Sequence, residues 1–193
     1  LSIIDVSKPP EYASTIFLSP LRGLSHEGDI SIHDLTNRHR WGLRGQGAAE
    51  ALRIQGWDLP EQPNRLVASI NQSFVMALSQ REFWVLDPHN DAADLAMGND
   101  FTTDAYPLFC QSSHAWLVLK GSETSALMAK LCSVDLRPDA FNLGDVAQTQ
   151  MALINCIIAR HDLAGDDVFS IFVDQSYAEY ALEALLDARQ EFL

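Results

Sequence analysis

The chain is 193 residues long and 47% hydrophobic, and its 26 acidic residues against 13 basic ones give a formal net charge of −13. That length can bury a core as one domain or two small ones, while the charge disfavours nucleic acid and anionic lipid as partners. No apolar run reaches the roughly 18 residues that cross a bilayer, Leu1-Ser2-Ile3-Ile4-Asp5 does not read as a signal peptide, and Cys110, Cys132 and Cys156 are odd in number and widely spaced, so a cytoplasmic protein with free thiols is expected.

Residues 1–28 read as an extended arm, because Pro9-Pro10 forbids helix and the apolar Ile16-Phe17-Leu18 runs into Ser19-Pro20-Leu21-Arg22-Gly23. Its apolar side chains need cover, either from the chain's own core or from a groove on another subunit. Phe17, Leu21 and Arg22 are therefore candidate contact residues. A first unit, 29–104, opens with a strand-like stretch from Ile30 to Leu43 that breaks at Thr36-Asn37-Arg38. A helix from Gln46 to Gln55, with Ala48, Ala49 and Leu52 on one face, is predicted to end at Gly56. A hairpin follows, Leu66 to Leu78 and Glu82 to Leu86, turning at Ser79-Gln80-Arg81. A short helix from Asp91 to Met97 and a linker from Gly98 to Asp104 close the unit.

The second unit, 105–193, begins with a buried strand from Ala115 to Leu119. Ser122 is placed to cap a helix carrying Leu127, Met128, Leu131 and Cys132. Val146 to Ala159 reads as one long strand, and after a turn at Leu163 to Asp167 a strand from Val168 to Val173 pairs back. The last helix starts at Ser176-Tyr177-Ala178-Glu179, a capping-box pattern, with Tyr177, Tyr180, Ala181, Ala184, Leu185 and Ala188 as its buried stripe.

The two units share a phrase. Arg40-Trp41-Gly42-Leu43-Arg44-Gly45 in the first corresponds to Trp116-Leu117-Val118-Leu119-Lys120-Gly121 in the second, with the glycines 121 − 45 = 76 positions apart. The closing Asp87 and Asp174 are 174 − 87 = 87 apart, so the second unit is the longer. The order β-α-β-β-α in each describes an α+β fold of two related ferredoxin-like units preceded by the arm.

Candidate chemistry is sparse. Gly45-Gln46-Gly47-Ala48-Ala49-Glu50 imitates a dinucleotide fingerprint, but Glu50 stands where a pyrophosphate would lie and position 65 is Arg65, not an acid. The six histidines include no pair at i, i+4, and no two cysteines are close enough for a metal clamp. His33-Asp34 and His161-Asp162 are adjacent residues on strands, which point to opposite faces. Ser112-Ser113-His114 lacks a glycine-framed nucleophile elbow. No catalytic, cofactor-binding or metal-ligating residue is assigned. Trp41, Trp57, Trp84 and Trp116 read as core and interface anchors. Arginine and tryptophan gather in Asn37-Arg38-His39-Arg40-Trp41 and Gln80-Arg81-Glu82-Phe83-Trp84, types enriched at protein interfaces, so Arg38, Arg40, Trp41, Arg81 and Trp84 join the candidate contacts.

The stretch Leu131 to Glu191, with Ser133-Val134-Asp135-Leu136-Arg137-Pro138, Phe141, Gly144-Asp145-Val146-Ala147-Gln148-Thr149 and Ser176-Tyr177-Ala178-Glu179-Tyr180, resembles the gamma subunit of heterotetrameric sarcosine oxidase. Ser19-Pro20-Leu21 and the segment from Asp34-Leu35-Thr36 to Gly45 are similar to the family's N-terminal half. The resemblance implies a flavoenzyme complex that oxidises sarcosine to glycine with oxygen, forms hydrogen peroxide and passes the one-carbon unit to tetrahydrofolate. It also implies that FAD, FMN, NAD and tetrahydrofolate belong to the two larger subunits, and zinc to the smallest. This chain would be a cofactor-free, non-catalytic partner of the alpha, beta and delta subunits, chiefly of the large folate-binding one. Its fold would be similar to part of the folate-binding aminomethyltransferase fold. The related N-methylglutamate dehydrogenase complexes have a similar subunit. The rival expectation is an independent folate-binding or aminomethyltransferase-like protein, for which Asp135 is the carboxylate to watch.

Overall fold

The structure, a computed structural model, describes residues 19–91 and 104–193. Phe17, most of the predicted arm, all but the first residue of the helix expected from Asp91 to Met97 and most of the linker to Asp104 lie outside the described residues, and Asp91 itself ends a strand. Eleven strands and four helices follow in order: β1 Ser25–His26, β2 Ser31–Asp34, β3 Arg38–Arg44, α1 Ala48–Ile54, β4 Arg65–Ala68, β5 Phe74–Ser79, β6 Glu82–Asp91, β7 Tyr106–Leu108, α2 Cys110–Ser113, β8 His114–Lys120, α3 Thr124–Ala129, β9 Val146–Met151, β10 Ile154–Leu163, β11 Asp166–Asp174 and α4 Ala178–Arg189. They form a six-stranded sheet, β1-β2-β8-β11-β10-β9, and a five-stranded sheet, β4-β5-β6-β3-β7. All the pairings within both sheets are antiparallel.

Period-two alternation along the strands builds three apolar layers. Trp84 and Leu86 of β6, Met76 of β5, Trp116 and Val118 of β8, and Phe172 of β11 meet between the sheets. Their neighbours Phe83, Val85 and Val75 face the other way onto Ala48, Ala51 and Leu52 of α1. Ala115, Leu117, Ile171 and Val173 face Leu127 and Met128 of α3 and Ala181 and Leu185 of α4. The order of layers is helix, sheet, sheet, helices, an α+β architecture as expected.

Each sheet contains a strand-helix-strand-strand path whose third strand inserts between the first two: β3-α1-β5-β6 in one, β8-α3-β10-β11 in the other. The free side of the first strand is covered by β7 in the five-stranded sheet and by β2 in the six-stranded one. β2 therefore lies in the same sheet as 114–174, and β7 in the same sheet as 38–91, both across the boundary expected at 104/105, while β1 pairs with β2 across the one expected at 28/29. The repeated glycines explain this closure. Gly45 (φ +138°) and Gly121 (φ +146°) end β3 and β8, and a Cβ on either would collide with the carbonyl oxygen of Asp104 or Asp29, which lead into β7 and β2. The residues just before them pair alike, Arg44 with Glu82 and Lys120 with Asp166, each at 2.6 Å.

Several local expectations are corrected. The run from Leu66 to Leu78 is two strands, β4 and β5, because Asn71 and Gln72 turn the chain at φ +55° and +60°. Val146 to Ala159 is likewise a hairpin, turning at Ala152 (φ +48°) and Leu153 (φ +69°). Such turns favour Asn-Gly, and Ala-Leu carries no such signal. Ser122 does not cap α3, whose entry is held by the Thr124 hydroxyl donating to the Gly121 carbonyl at 2.8 Å. The capping box at Ser176 does not form. The Asp174 carboxylate accepts from the Ser176 amide (2.9 Å) and hydroxyl (2.6 Å), which winds a 3₁₀ turn before α4. That turn rotates the helix, so its buried stripe starts at Ala178 and leaves Tyr177 and Tyr180 50% and 47% exposed.

Four candidate contact residues prove to be internal: Leu21, Arg40, Trp41 and Trp84 are all buried within the chain. Arg40 is 1% exposed and has no carboxylate partner among the described residues. Its guanidinium donates to the carbonyls of Thr36 (3.0 Å), Arg38 (3.4 Å), Gln111 (3.4 Å) and His114, and lies over the Trp116 ring at 5.9 Å. Burial pulls its pKa down to about 10, with Cys110 and Asp34 opposing, so the side chain stays charged. Between the sheets, the Trp116 Nε1–H donates to the Ser170 hydroxyl at 2.9 Å, which leaves the Ser170 proton for His161 Nε2 at 2.8 Å. That bond needs an unprotonated Nε2, in agreement with the lowering of the His161 pKa by burial.

Two outcomes follow from these buried groups. Replacing Arg40 by Met strips four carbonyls of a donor while relieving one desolvated charge; the lost bonds win, and urea unfolding should show a loss of about 2 kcal/mol. His161, with a folded pKa below the unfolded value, contributes stability that is full above the ordinary imidazole pKa of about 6.5 and is lost as pH falls towards the folded one. Unfolding free energies measured down this window should decline, and His161→Gln, which keeps an acceptor for Ser170, should flatten the decline.

Candidate functional site

The sheets do not cover each other fully. On the inner face of the six-stranded sheet, beyond the edge of its partner, lies an open cleft of about 510 Å³. Its lining includes His114 at the start of β8, Gln148 and Gln150 on β9, Asn155 and Ile157 on β10, and Phe172 on β11. Residues 148, 150, 155 and 157 share this face because β9 pairs Gln148 with Ile157 and Gln150 with Asn155. The Gln148 carboxamide donates to Asn64 Oδ1 (2.8 Å) and the Leu78 carbonyl (2.7 Å), tying the lip to the other sheet. The Gln150 carboxamide reaches Asn155 Oδ1 at 3.2 Å. His114 stands edge-on to Trp84 with ring centres 4.8 Å apart, and its Nδ1 lies 2.8 Å from the Ser113 hydroxyl. Burial and then the Arg40 charge lower its pKa, so the ring is neutral at neutral pH. The lining offers carboxamides, the Ser133 and Thr149 hydroxyls, the Cys156 thiol, a neutral imidazole and two apolar side chains, but no formal charge. Such a wall can bind an uncharged group; it offers no ionised carboxylate or thiolate, and His114 is its one imidazole.

Other groups singled out in the sequence are spent elsewhere. Asp34 accepts from the Gly23 (2.8 Å) and Thr36 (2.9 Å) amides, while His33 Nδ1 lies 2.8 Å from the Ser25 hydroxyl. The Asp162 carboxylate accepts from the Gly165 amide at 2.9 Å, while its backbone carbonyl lies 3.2 Å from Nδ1 of the buried His161 ring. Gly45 N donates to the Arg81 carbonyl (2.9 Å) and Gly47 N to that of Asp104 (3.0 Å), so these amides are not free to cradle a phosphate. Asp135 is exposed and bound by Arg137 through Nε (2.9 Å) and Nη2 (2.6 Å), which holds its pKa down to about 2. Cys110, Cys132 and Cys156 are free and buried, and burial pushes the Cys110 and Cys156 thiols up to about 12. Among the described residues no three His, Cys, Asp or Glu side chains converge as metal ligands. Arg22 and Arg81 are exposed and Arg38 is half-buried, which leaves them on the surface where Arg40, Trp41 and Trp84 are not.

Sequence reading missed the cleft. A signal was present, since residues 146–159 hold no charge in a chain that is 20% charged, but reading them as one strand hid the pairing that puts Gln148, Gln150 and Asn155 together.

Known proteins with this fold are informative. Residues 68–193 match the GCVT N-terminal domain family. Sarcosine oxidase subunit gamma of Corynebacterium sp. (strain P-1) is 27% identical over 176 residues, 87% of this chain and 84% of that protein. A chain of the heterotetrameric sarcosine oxidase from Corynebacterium sp. U-96, solved in complex with pyrrole 2-carboxylate, superposes with a TM-score of 0.69 at 22% identity, over 87% of this chain and 88% of that one. The glycine cleavage system aminomethyltransferase T from Bartonella henselae superposes with a TM-score of 0.59 at 17% identity, over 79% of this chain but 44% of that one. The expected likeness to part of the aminomethyltransferase fold is thus borne out, as is the resemblance to the gamma subunit. By the match over 68–193, the chain belongs to the GCVT N-terminal domain family.

Proposed function

We propose that this chain is the gamma-type subunit of a heterotetrameric, flavin-dependent sarcosine oxidase, contributing shape and adhesive surface and no catalytic group. The observation that carries this is the mutual coverage: 87% of this chain aligns with 84% of the Corynebacterium gamma subunit, so the likeness is to a whole subunit and not to a shared fragment. The titratable groups support a non-catalytic role, since His161, Cys110 and Asp135 are engaged by Ser170, by burial and by Arg137. On this reading FAD, FMN, NAD and tetrahydrofolate are held by the alpha and beta subunits and zinc by delta, in a cytoplasmic assembly. No described helix is long and apolar enough to cross a membrane. Exposed Arg22 and Arg81, with Arg38 beside them in type, are proposed as rim contacts to the large folate-binding subunit.

Co-expression with the other subunits of its source should yield one complex by size exclusion, with flavin absorbance and sarcosine-dependent peroxide formation. The lone chain should carry no flavin and give no calorimetric signal with tetrahydrofolate. Micromolar tetrahydrofolate binding by the lone chain, or failure to join a flavin-containing complex, would overturn the reading.

A further inference from the structure

The tip of the β9–β10 hairpin and the start of α4 form one exposed apolar patch. The Tyr180 hydroxyl donates to the Ala152 carbonyl at 2.8 Å, which seats the helix against the tip. The Ala152 amide donates to the Leu131 carbonyl at 2.9 Å, which ties the tip to the segment after α3. On this pinned frame Leu153 is 89% exposed, with the half-exposed Tyr177 and Tyr180 beside it. Leu153 also holds φ +69°, a conformation that suits Gly or Asn, so folding of this chain gives no reason for a leucine there.

A row of carboxylates flanks the patch, and its charge decides what can cover it. Glu179, Glu183 and Asp187 follow at i, i+4 and i+8 on the exposed side of α4, and none has an ion pair among the described residues. Like charges at that spacing repel and weaken a helix. The cations nearby are engaged: Arg189 is buried with its guanidinium on the Glu27 carbonyl, and Lys130 pairs with Glu191 at 2.8 Å. A second copy would bring the same carboxylates and a net charge of −13, so self-association through this face is repelled. Residues 1–18 and 92–103 of this chain hold no arginine and a single lysine, Lys8, too little to neutralise the row. The cover has to be basic and has to come from another chain.

We infer that the patch of Leu153, Tyr177 and Tyr180 docks an arginine-bearing segment of a larger subunit in the assembly. The segment lays an apolar side chain on Leu153 and sets its guanidinium between the Tyr180 ring and the Glu183 carboxylate, which are neighbours at i, i+3 on α4. A guanidinium can stack on an aromatic face while its N–H groups pair with a carboxylate, and an ammonium lacks that planar fork. This rests on the subunit reading and adds to it the place and the chemistry of one contact. Tyrosine and leucine supply the buried area, and the acidic row steers the approach.

The test uses two variants that leave the lone chain at least as stable. Glu183→Lys relieves the repulsion with Glu179 and Asp187, and Leu153→Asn suits the positive φ, so urea unfolding of the lone chain should be unchanged or move to higher urea. In the complex co-expressed with the larger subunits, each should raise about tenfold the concentration at which dilution releases this chain, read by size exclusion. Added salt should release the original chain more readily, and Glu183→Lys should flatten that dependence. Both variants assembling like the original chain, with no salt dependence to lose, overturns the inference and leaves the subunit reading standing. Failure to form any flavin-containing complex sinks both. Self-association of the lone chain that Leu153→Asn abolishes assigns the patch to a second copy and likewise overturns the proposal.

Discussion

The most deeply buried arginine among the described residues sits where the chain passes from one sheet to the other. Arg40 begins the inward run of β3, yet its guanidinium is held by carbonyls from the 35–37 turn, from α2 and from the first residue of β8, with the Trp116 ring beneath it. Supporting bonds close the same knot: the Gln111 carboxamide accepts from the Arg40 amide and donates to Thr36, and the Thr36 hydroxyl accepts from the Trp116 amide. Carbonyls crowded into a dry turn need donors, and a guanidinium with five N–H groups is the side chain that can serve several at once. The relative placement of the sheets rests on that geometry.

The strand exchange makes this knot necessary. Because β2 leaves the five-stranded side to pair with β8, and β7 crosses back to pair with β3, both crossings pass close to Arg40 and Cys110. Gly42 accommodates the packing, since a Cβ there would press on the Phe83 carbonyl and the Cys110 sulfur. The exchange also interlocks the two halves. Neither half owns all the strands of its sheet, which favours one cooperative body over two independent lobes.

Among the described residues Asp135 is held in an ion pair and His161 is buried against Ser170, and the cleft between the sheets presents carboxamides, hydroxyls and a neutral imidazole without formal charge. The chain belongs to the GCVT N-terminal domain family, and it aligns with an oxidase subunit while its fold superposes on an aminomethyltransferase, so the fold alone does not fix the chemistry.

Much of this was legible in the linear order of residues. The alternation from Phe83 to Leu86, the turn at Ser79-Gln80-Arg81 and the glycines at 45 and 121 each state a local rule, and local rules survive into the fold. Arg40, Trp41 and Trp84 were misjudged as surface because an arginine-tryptophan cluster looks the same in a sequence whether partner or core covers it. The Ala152-Leu153 turn was invisible because its positive φ values are imposed by the β9–β10 pairing and by Tyr180, not by residue preference. The sequence by itself determined the alternation within individual strands and the repeated phrase, since these depend on neighbours a few positions apart. Only the tertiary structure decided which sheet β2 and β7 would join and which polar groups would be buried, because those depend on contacts between residues far apart in the chain.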